Sequence, residues 1–250
     1  MFGSRAREYT SYRERNTFHS SLFRFIRFLV LLVVCYLFVT HFLVNSRTID
    51  SVSMEPTLLP GDRIITTSLS YGPTVPLSSN HFPGLAKPAR GDLVVIATPY
   101  YRRPPILLRI VDPVVRFFTL QRVTVLHAAN PWEQPYLVRR IIGVPGDTVK
   151  MKDYSFFVRP QGESSFVPEL QLASGGYEVG RKGLPAGWND DLPFSGTLPE
   201  TTLGKNDYFV AGDNRVESTD SRYFGPVPTS AIREKVILRY FPFRRFVVLK

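Results

Sequence analysis

Cysteine is nearly missing from the sequence. The single Cys35 lies inside an apolar run, so no disulfide can form within one chain and cysteine usage leaves the redox compartment unread. Cysteine and histidine clusters at zinc-ligand spacing are missing as well, and so is helix-turn-helix spacing. The formal net charge of +10 is therefore not read as a nucleic-acid surface. No motif for a metal or a nucleotide cofactor is present, nor any internal repeat or low-complexity block. Acidic residues number 21 against 31 lysines and arginines, a balance that suits anionic lipid headgroups as a partner. The 21 prolines disfavour long helices over most of the 250 residues, a length that fits one medium domain or two small ones.

Long apolar runs are scarce, with one exception. Residues 28–44, FLVLLVVCYLFVTHFLV, carry no formal charge apart from His41 if protonated. With the flanking Leu22–Ile26 the stretch approaches the roughly 20 apolar residues needed to cross a bilayer. Arg5, Arg7, Arg13, Arg15, Arg24 and Arg27 stand before it, against only Glu8 and Glu14. The positive-inside rule then predicts a basic cytoplasmic N-terminus over 1–27 and a transmembrane anchor over 28–44. Residues 45–250 would lie on the outer face of an inner membrane. A cleavable signal peptide would end in small residues such as Ala-x-Ala, whereas this run ends in Val44-Asn45-Ser46-Arg47, so the anchor is read as retained.

Beyond the anchor, short or alternating apolar runs recur at Arg63–Thr67, Asp92–Ala97, Tyr136–Val144, Thr148–Val158, Asp207–Ala211 and Val236–Phe241. Each is bounded by Gly, Pro, Asn or Asp, the pattern of a mostly β domain with few helices. Pro145-Gly146-Asp147 between two runs predicts a tight antiparallel hairpin. Three stretches read as insertions. Residues 70–90 hold Pro73, Pro76, Pro83 and Pro88, and read as a surface loop. Residues 160–205, rich in Gly, Ser and Pro, read as a poorly ordered excursion or a small subdomain. Residues 99–131 are apolar with interspersed arginines, and Pro104, Pro105 and Pro113 argue against a long helix there. Two readings stay open: an extra packed hairpin, or a membrane-resting element. In the second, Arg102, Arg103, Arg109 and Arg116 would lie near headgroups while Ile106, Leu107, Phe117 and Phe118 dip in.

Four boxes carry chemistry. DSVSMEPTLLPGDRI at 50–64 places two serines one residue apart ahead of a Pro-Gly-Asp turn, and RGDLVVI at 90–96 is a strand. VRRIIGVPGD spans 138–147, and GDNRVESTDSRYFGPVP spans 212–228. In this order, behind an anchor, they resemble the boxes of the type I signal peptidases, membrane-anchored serine proteases that remove signal peptides from exported proteins. The resemblance implies two antiparallel sheets forming the catalytic domain, with preproteins and membrane lipids as partners and no cofactor. Only a few residues separate Val44 from Ser53, which predicts a site near the bilayer.

Residue by residue, the resemblance implies that Ser53 is the nucleophile and that Ser51 helps to bind the oxyanion with the Ser53 N–H. Met54 matches a residue lining the site. Ser218 matches the serine that orients the base, Asp220 and Arg222 a charged pair bracing the site, and Gly212, Asp213 and Asn214 the turn that shapes it. At the base position the family has a lysine followed by an arginine, whereas this chain has Arg139 followed by Arg140. Burial lowers a lysine pKa enough to leave some neutral amine, but an arginine with a pKa above about 12 is neutral in roughly one molecule in 10⁵ at pH 7.

Three readings of Arg139 remain open. Another group serves as base: a hairpin at Pro145-Gly146 would pair positions summing to 291, placing Lys152 opposite Arg139 and Lys150 diagonally beside it. Alternatively, the site is catalytically silent and binds signal peptides or other extended peptides without cutting. Or Arg139 itself works as an inefficient catalyst. Self-cleaving repressors of bacterial stress responses use a similar Ser–Lys chemistry, but they are soluble, and the anchor argues against them.

Overall fold

The computed structural model describes residues 5–73, 82–99, 105–119, 123, 125, 135–173, 175–180 and 196–249. The chain divides into two compact units: Met1–Thr40 with Pro104–His127, and His41–Arg103 with Ala128–Lys250.

The first unit is helical. α1 (Arg5–Phe42) contains an apolar stretch, Ser21–Val39, long enough to cross a membrane. Of its described aromatic side chains, Phe23, Phe25, Phe28 and Phe38 point outward, as a lipid-facing helix requires. α2 (Ile106–Phe118) replaces the hairpin that was one reading of 99–131, and its helix runs through Pro113. Pro105 sits at the N-cap, where a missing N–H costs nothing. Within the helix, Asp112 is buried, paired with Arg116 Nε at 2.7 Å, and accepts from the Val125 N–H at 2.8 Å. Tyr36 of α1 meets Phe117 with ring centroids 5.0 Å apart. Arg102 and Arg103, and the side chains of Ile106 and Arg109, lie outside the described residues.

The second unit is built from two antiparallel sheets. The strands are β1 (Val44–Thr48), β2 (Arg63–Thr67), β3 (Leu93–Ala97), β4 (Tyr136–Gly143), β5 (Thr148–Lys152), β6 (Ser155–Arg159), β7 (Val167–Pro168), β8 (Leu198–Thr202), β9 (Asp207–Ala211), β10 (Val227–Pro228), β11 (Ile232–Phe241) and β12 (Val247–Val248). The larger sheet runs β1-β2-β11-β3-β4-β9-β10 with β12 on β11; the smaller runs β7-β6-β5-β8. β3 shows why its sequence reads as an unbroken apolar run. Leu93 and Val95 join a core with Ile49, Met54, Leu58, Ile64 and Val236, while Val94 and Ile96 join another with Ile141, Val210, Val227 and Ile232. A strand covered on both faces needs no polar side.

The expected hairpin at Pro145-Gly146 does not form. β4 pairs with β3 and β9, whereas β5 pairs with β6 and β8 in the other sheet. The Pro-Gly turn is a corner between sheets, closed by the Asp147 carboxylate, which accepts from the Val144 N–H and from Arg90. Gly143 is required just before it, because a Cβ there would strike Val149 Cγ2 and Leu203 Cδ1. The true hairpin is β5–β6, turning at Asp153 and Tyr154, both with positive φ (49° and 60°). Lys152 therefore faces Ser155, is exposed, and does not meet Arg139. Lys150 is occupied as well, 3.3 Å from Glu200 Oε1 and 3.7 Å from the Phe166 ring centroid.

Parts of the 160–205 insertion are ordered. β7 pairs with β6, and the following turn, α3 (Glu169–Leu172), buries Glu169. Residues 74–81 and 181–195 lie outside the described residues.

Candidate active site

Ser53 sits on a short 3₁₀ turn, Val52–Met54, with Ser51 before it in extended conformation. A single-turn helix projects its middle side chain away from the chain path, and apolar Met54 and Leu58 anchor the segment in the core beneath. Met54, the residue after Ser53, is fully buried in that core. Ser53 is buried, Ser51 is exposed, and their hydroxyl oxygens are 2.9 Å apart. The turn after β9 holds this segment from the other side. The Asn214 N–H donates to the Ser53 carbonyl at 3.1 Å, and Asn214 Nδ2 donates to the Val52 carbonyl at 3.3 Å.

Arg139 and Arg140 lie in the middle of β4, between β3 and β9. Neither faces water: their exposures are 3% and 4%. Alternation along the strand turns them in different directions, and both directions are covered. Arg139 Nη1 donates to Ser53 Oγ at 2.9 Å and to the Val138 carbonyl at 2.5 Å, while Nε donates to the Thr219 carbonyl at 2.9 Å. All three acceptors are neutral. Arg140 is bound differently, with Nε and Nη2 clamping both oxygens of Asp213 at 2.8 and 2.6 Å and Nη1 donating to the Gly91 carbonyl. Its guanidinium carbon also stacks 3.9 Å from the Tyr177 ring centroid.

This difference has an electrostatic consequence. Burial lowers the Arg139 pKa from 12.5 to about 10. Asp220 pulls it upward, Arg222 pushes it further down, and Asp213 adds a smaller upward pull. Asp220 has its own cation: Arg222 Nε and Nη2 donate to its two oxygens, each at 2.8 Å, and the Gly212 N–H donates at 2.9 Å. Burial alone would raise the Asp220 pKa, but Arg222 and these hydrogen bonds hold it below the usual carboxylate range.

Ser218 is buried, and its hydroxyl has no hydrogen-bond partner among the described residues. The contact that fixes Arg139 comes from the next residue, through the Thr219 carbonyl. A guanidinium carries an Nε donor along its stem that an ammonium lacks, and this donor finds the backbone. Gly212 lets the Ser218 side chain and the Ser53 backbone approach, since a Cβ at 212 would strike Ser218 Oγ and lie 2.5 Å from the Ser53 carbonyl oxygen.

Several supporting residues carried no sequence signal of their own. Thr57 Oγ1 donates to Asp213 at 2.5 Å. Tyr177 donates to Glu169 at 2.9 Å, and Glu169 also takes Arg215 Nη2 at 2.9 Å, so a fully buried ion pair backs the turn at 212–215. Glu169 and Tyr177 fall in the stretch whose Gly, Ser and Pro content reads as loop. Among the described residues, no group of three or more His, Cys, Asp or Glu side chains is placed to hold a metal ion.

The sequence pattern of the family described as "Signal peptidase, peptidase S26" matches residues 22–241. Signal peptidase I V of Bacillus subtilis is 35% identical over 124 residues, 49% of this chain and 65% of that protein, slightly under two thirds of its length. Signal peptidase IB of Staphylococcus aureus is 30% identical over 226 residues, 88% of this chain and 87% of that protein. A solved signal peptidase I from Enterococcus faecalis aligns with a TM-score of 0.32 at 23% identity, covering 61% of this chain and 98% of that one.

Proposed function

The chain belongs to the signal peptidase family, peptidase S26, and from that premise we propose that it is a membrane-anchored serine endopeptidase acting through Ser53, with the neutral form of Arg139 as its base. Its substrates are exported preproteins, from which it removes the N-terminal signal peptide. The observation that carries this reading is the company Arg139 keeps: a buried guanidinium 2.9 Å from Ser53 Oγ whose acceptors are a hydroxyl and two carbonyls. A pKa of about 10 gives Arg139 nearly the basicity of an unburied lysine. About one molecule in a thousand is then neutral at pH 7 and about one in ten at pH 9.

In the reaction, neutral Arg139 accepts the Ser53 proton as Oγ attacks the scissile carbonyl carbon. Ser51 Oγ and the Ser53 N–H donate to the oxyanion. The guanidinium then returns its proton to the leaving amine and the mature protein departs. A water, deprotonated by the same base, hydrolyses the Ser53 ester and releases the signal peptide as a carboxylate. Asp220 and Arg222 brace the segment whose Thr219 carbonyl aims Arg139, Ser218 packs that segment over Gly212, and Asp213 and Asn214 hold the nucleophile turn. α1 keeps the enzyme in the membrane that holds its substrates.

The test is cleavage of a preprotein by the purified full-length protein in detergent, beside Ser53→Ala. Turnover should vanish in the variant, and in the parent it should rise about tenfold per pH unit from pH 7 and level off near pH 10. A parent inert at every pH, with turnover gained in Arg139→Lys, would overturn the assignment of the base and leave a homologue that binds peptides without cutting them.

A further inference from the structure

At neutral pH nearly every Arg139 is a cation, and among the described residues no carboxylate is hydrogen-bonded to it; Asp220 and Asp213 act on it only at a distance. The carboxylates near it are committed elsewhere: Asp220 to Arg222 and Asp213 to Arg140. Its Nε and Nη1 are used on a hydroxyl and two carbonyls. Buried charge of this kind is costly unless an anion completes it. Among the described residues of the second unit the other three buried arginines each have a carboxylate partner, Arg140 on Asp213, Arg215 on Glu169 and Arg239 on Asp62. Arg139 alone among these is left for something from outside.

The geometry limits what that anion can be. Ser51 is exposed and its hydroxyl lies 2.9 Å from that of Ser53, so an anion that comes in along Ser51 meets Ser53 Oγ and the Arg139 Nη1 bonded to it. A scissile carbonyl carbon reaches Ser53 Oγ at that point. So does the carboxylate carbon left when a peptide has been cut there. A neutral lysine in the family's position offers that product no charge, whereas a guanidinium offers a charge-assisted donor at 2.9 Å from the oxygen it was cut with.

We propose that the cationic form of Arg139, together with the Ser51 and Ser53 hydroxyls, is a binding site for the free C-terminal carboxylate of a peptide. The ligand class is a released signal peptide, ending in a small residue and a carboxylate. This rests on the reading of the site as one that receives signal peptides. It adds that the chain retains the cut peptide in preference to the uncut chain, by charge. One residue then serves two states: protonated Arg139 holds product, and deprotonated Arg139 cuts.

The experiment compares two synthetic signal peptides of identical sequence, one ending in a carboxylate and one in a carboxamide, binding to the full-length protein in detergent at pH 7. The carboxylate form should bind roughly tenfold or more tightly, the discrimination expected of a charge-assisted bond. Arg139→Met should bring the two affinities together. Equal affinities in the parent would overturn the proposal while leaving signal-peptide binding intact, as would discrimination that survives Arg139→Met. Failure of both peptides to bind would overturn the proposal and the functional reading together.

Discussion

At Arg140 the guanidinium lies flat against both oxygens of Asp213, with Thr57 donating to the same carboxylate. One residue earlier, Arg139 has comparable burial and no carboxylate in contact. Two predictions separate these roles. Asp213→Asn leaves the Arg140 charge buried and unbalanced, and should cost about 3–5 kcal/mol in denaturant unfolding. Arg139→Lys meets the same burial from a lower starting pKa, so its neutral fraction at pH 7 exceeds that of the arginine. Activity at pH 7 should rise roughly ten- to a hundredfold, and the alkaline limb of the pH–rate profile should move to lower pH. The sign is fixed by the base: deprotonation activates, so whichever residue has the lower pKa reaches full activity at the lower pH. A lysine profile superimposable on that of the parent would remove Arg139 from the reaction.

At the scale of elements, the segment that follows β9 ties the Ser53 turn to Arg139. Gly212→Ala places a methyl group against Ser218 and the Ser53 carbonyl, and both residues are buried. Overpacking of this kind should cost about 1–3 kcal/mol by denaturant titration and abolish cleavage at every pH, since it displaces Ser53 itself. A variant with parental stability and rate would show the turn to be looser than its contacts imply. The strands themselves were legible in the sequence, because apolar runs bounded by turn residues fall on β2, β3, β4 and β9 almost to the residue. Their assignment to sheets was not. Alternation says which side chains are buried but is silent about the partner strand, so the Pro145-Gly146 corner and a hairpin read alike. A sign of the true hairpin lay within the run Thr148–Val158, where Asp153-Tyr154 interrupts eleven residues otherwise suited to one strand. The pairing of Ser53 with Arg139 came from the family resemblance alone. Glu169 and Tyr177 could not, because a polar side chain in a Gly- and Pro-rich stretch gives no hint that a buried arginine will meet it.

For the whole molecule, the decisive question is which side of the membrane each end occupies. α1 carries six arginines and two glutamates ahead of or within the first turns of its apolar stretch, and the segment that follows β1 carries the site. Moving arginines through a bilayer is costly, and the inside-negative potential opposes their export further, so the N-terminus is expected to stay in the cytoplasm with residues beyond 45 outside. That orientation is also the only one in which the site meets a signal peptide after its preprotein has crossed. Protease added to spheroplasts should therefore digest the β unit while a tag on residue 1 is protected, and inverted vesicles should give the reverse. Replacing Arg5, Arg7, Arg13 and Arg15 with glutamine should weaken the bias and yield a mixed population, read as partial protection in both preparations. A β unit protected in spheroplasts would place the site where no exported substrate reaches it, and the peptidase reading would fall with the topology.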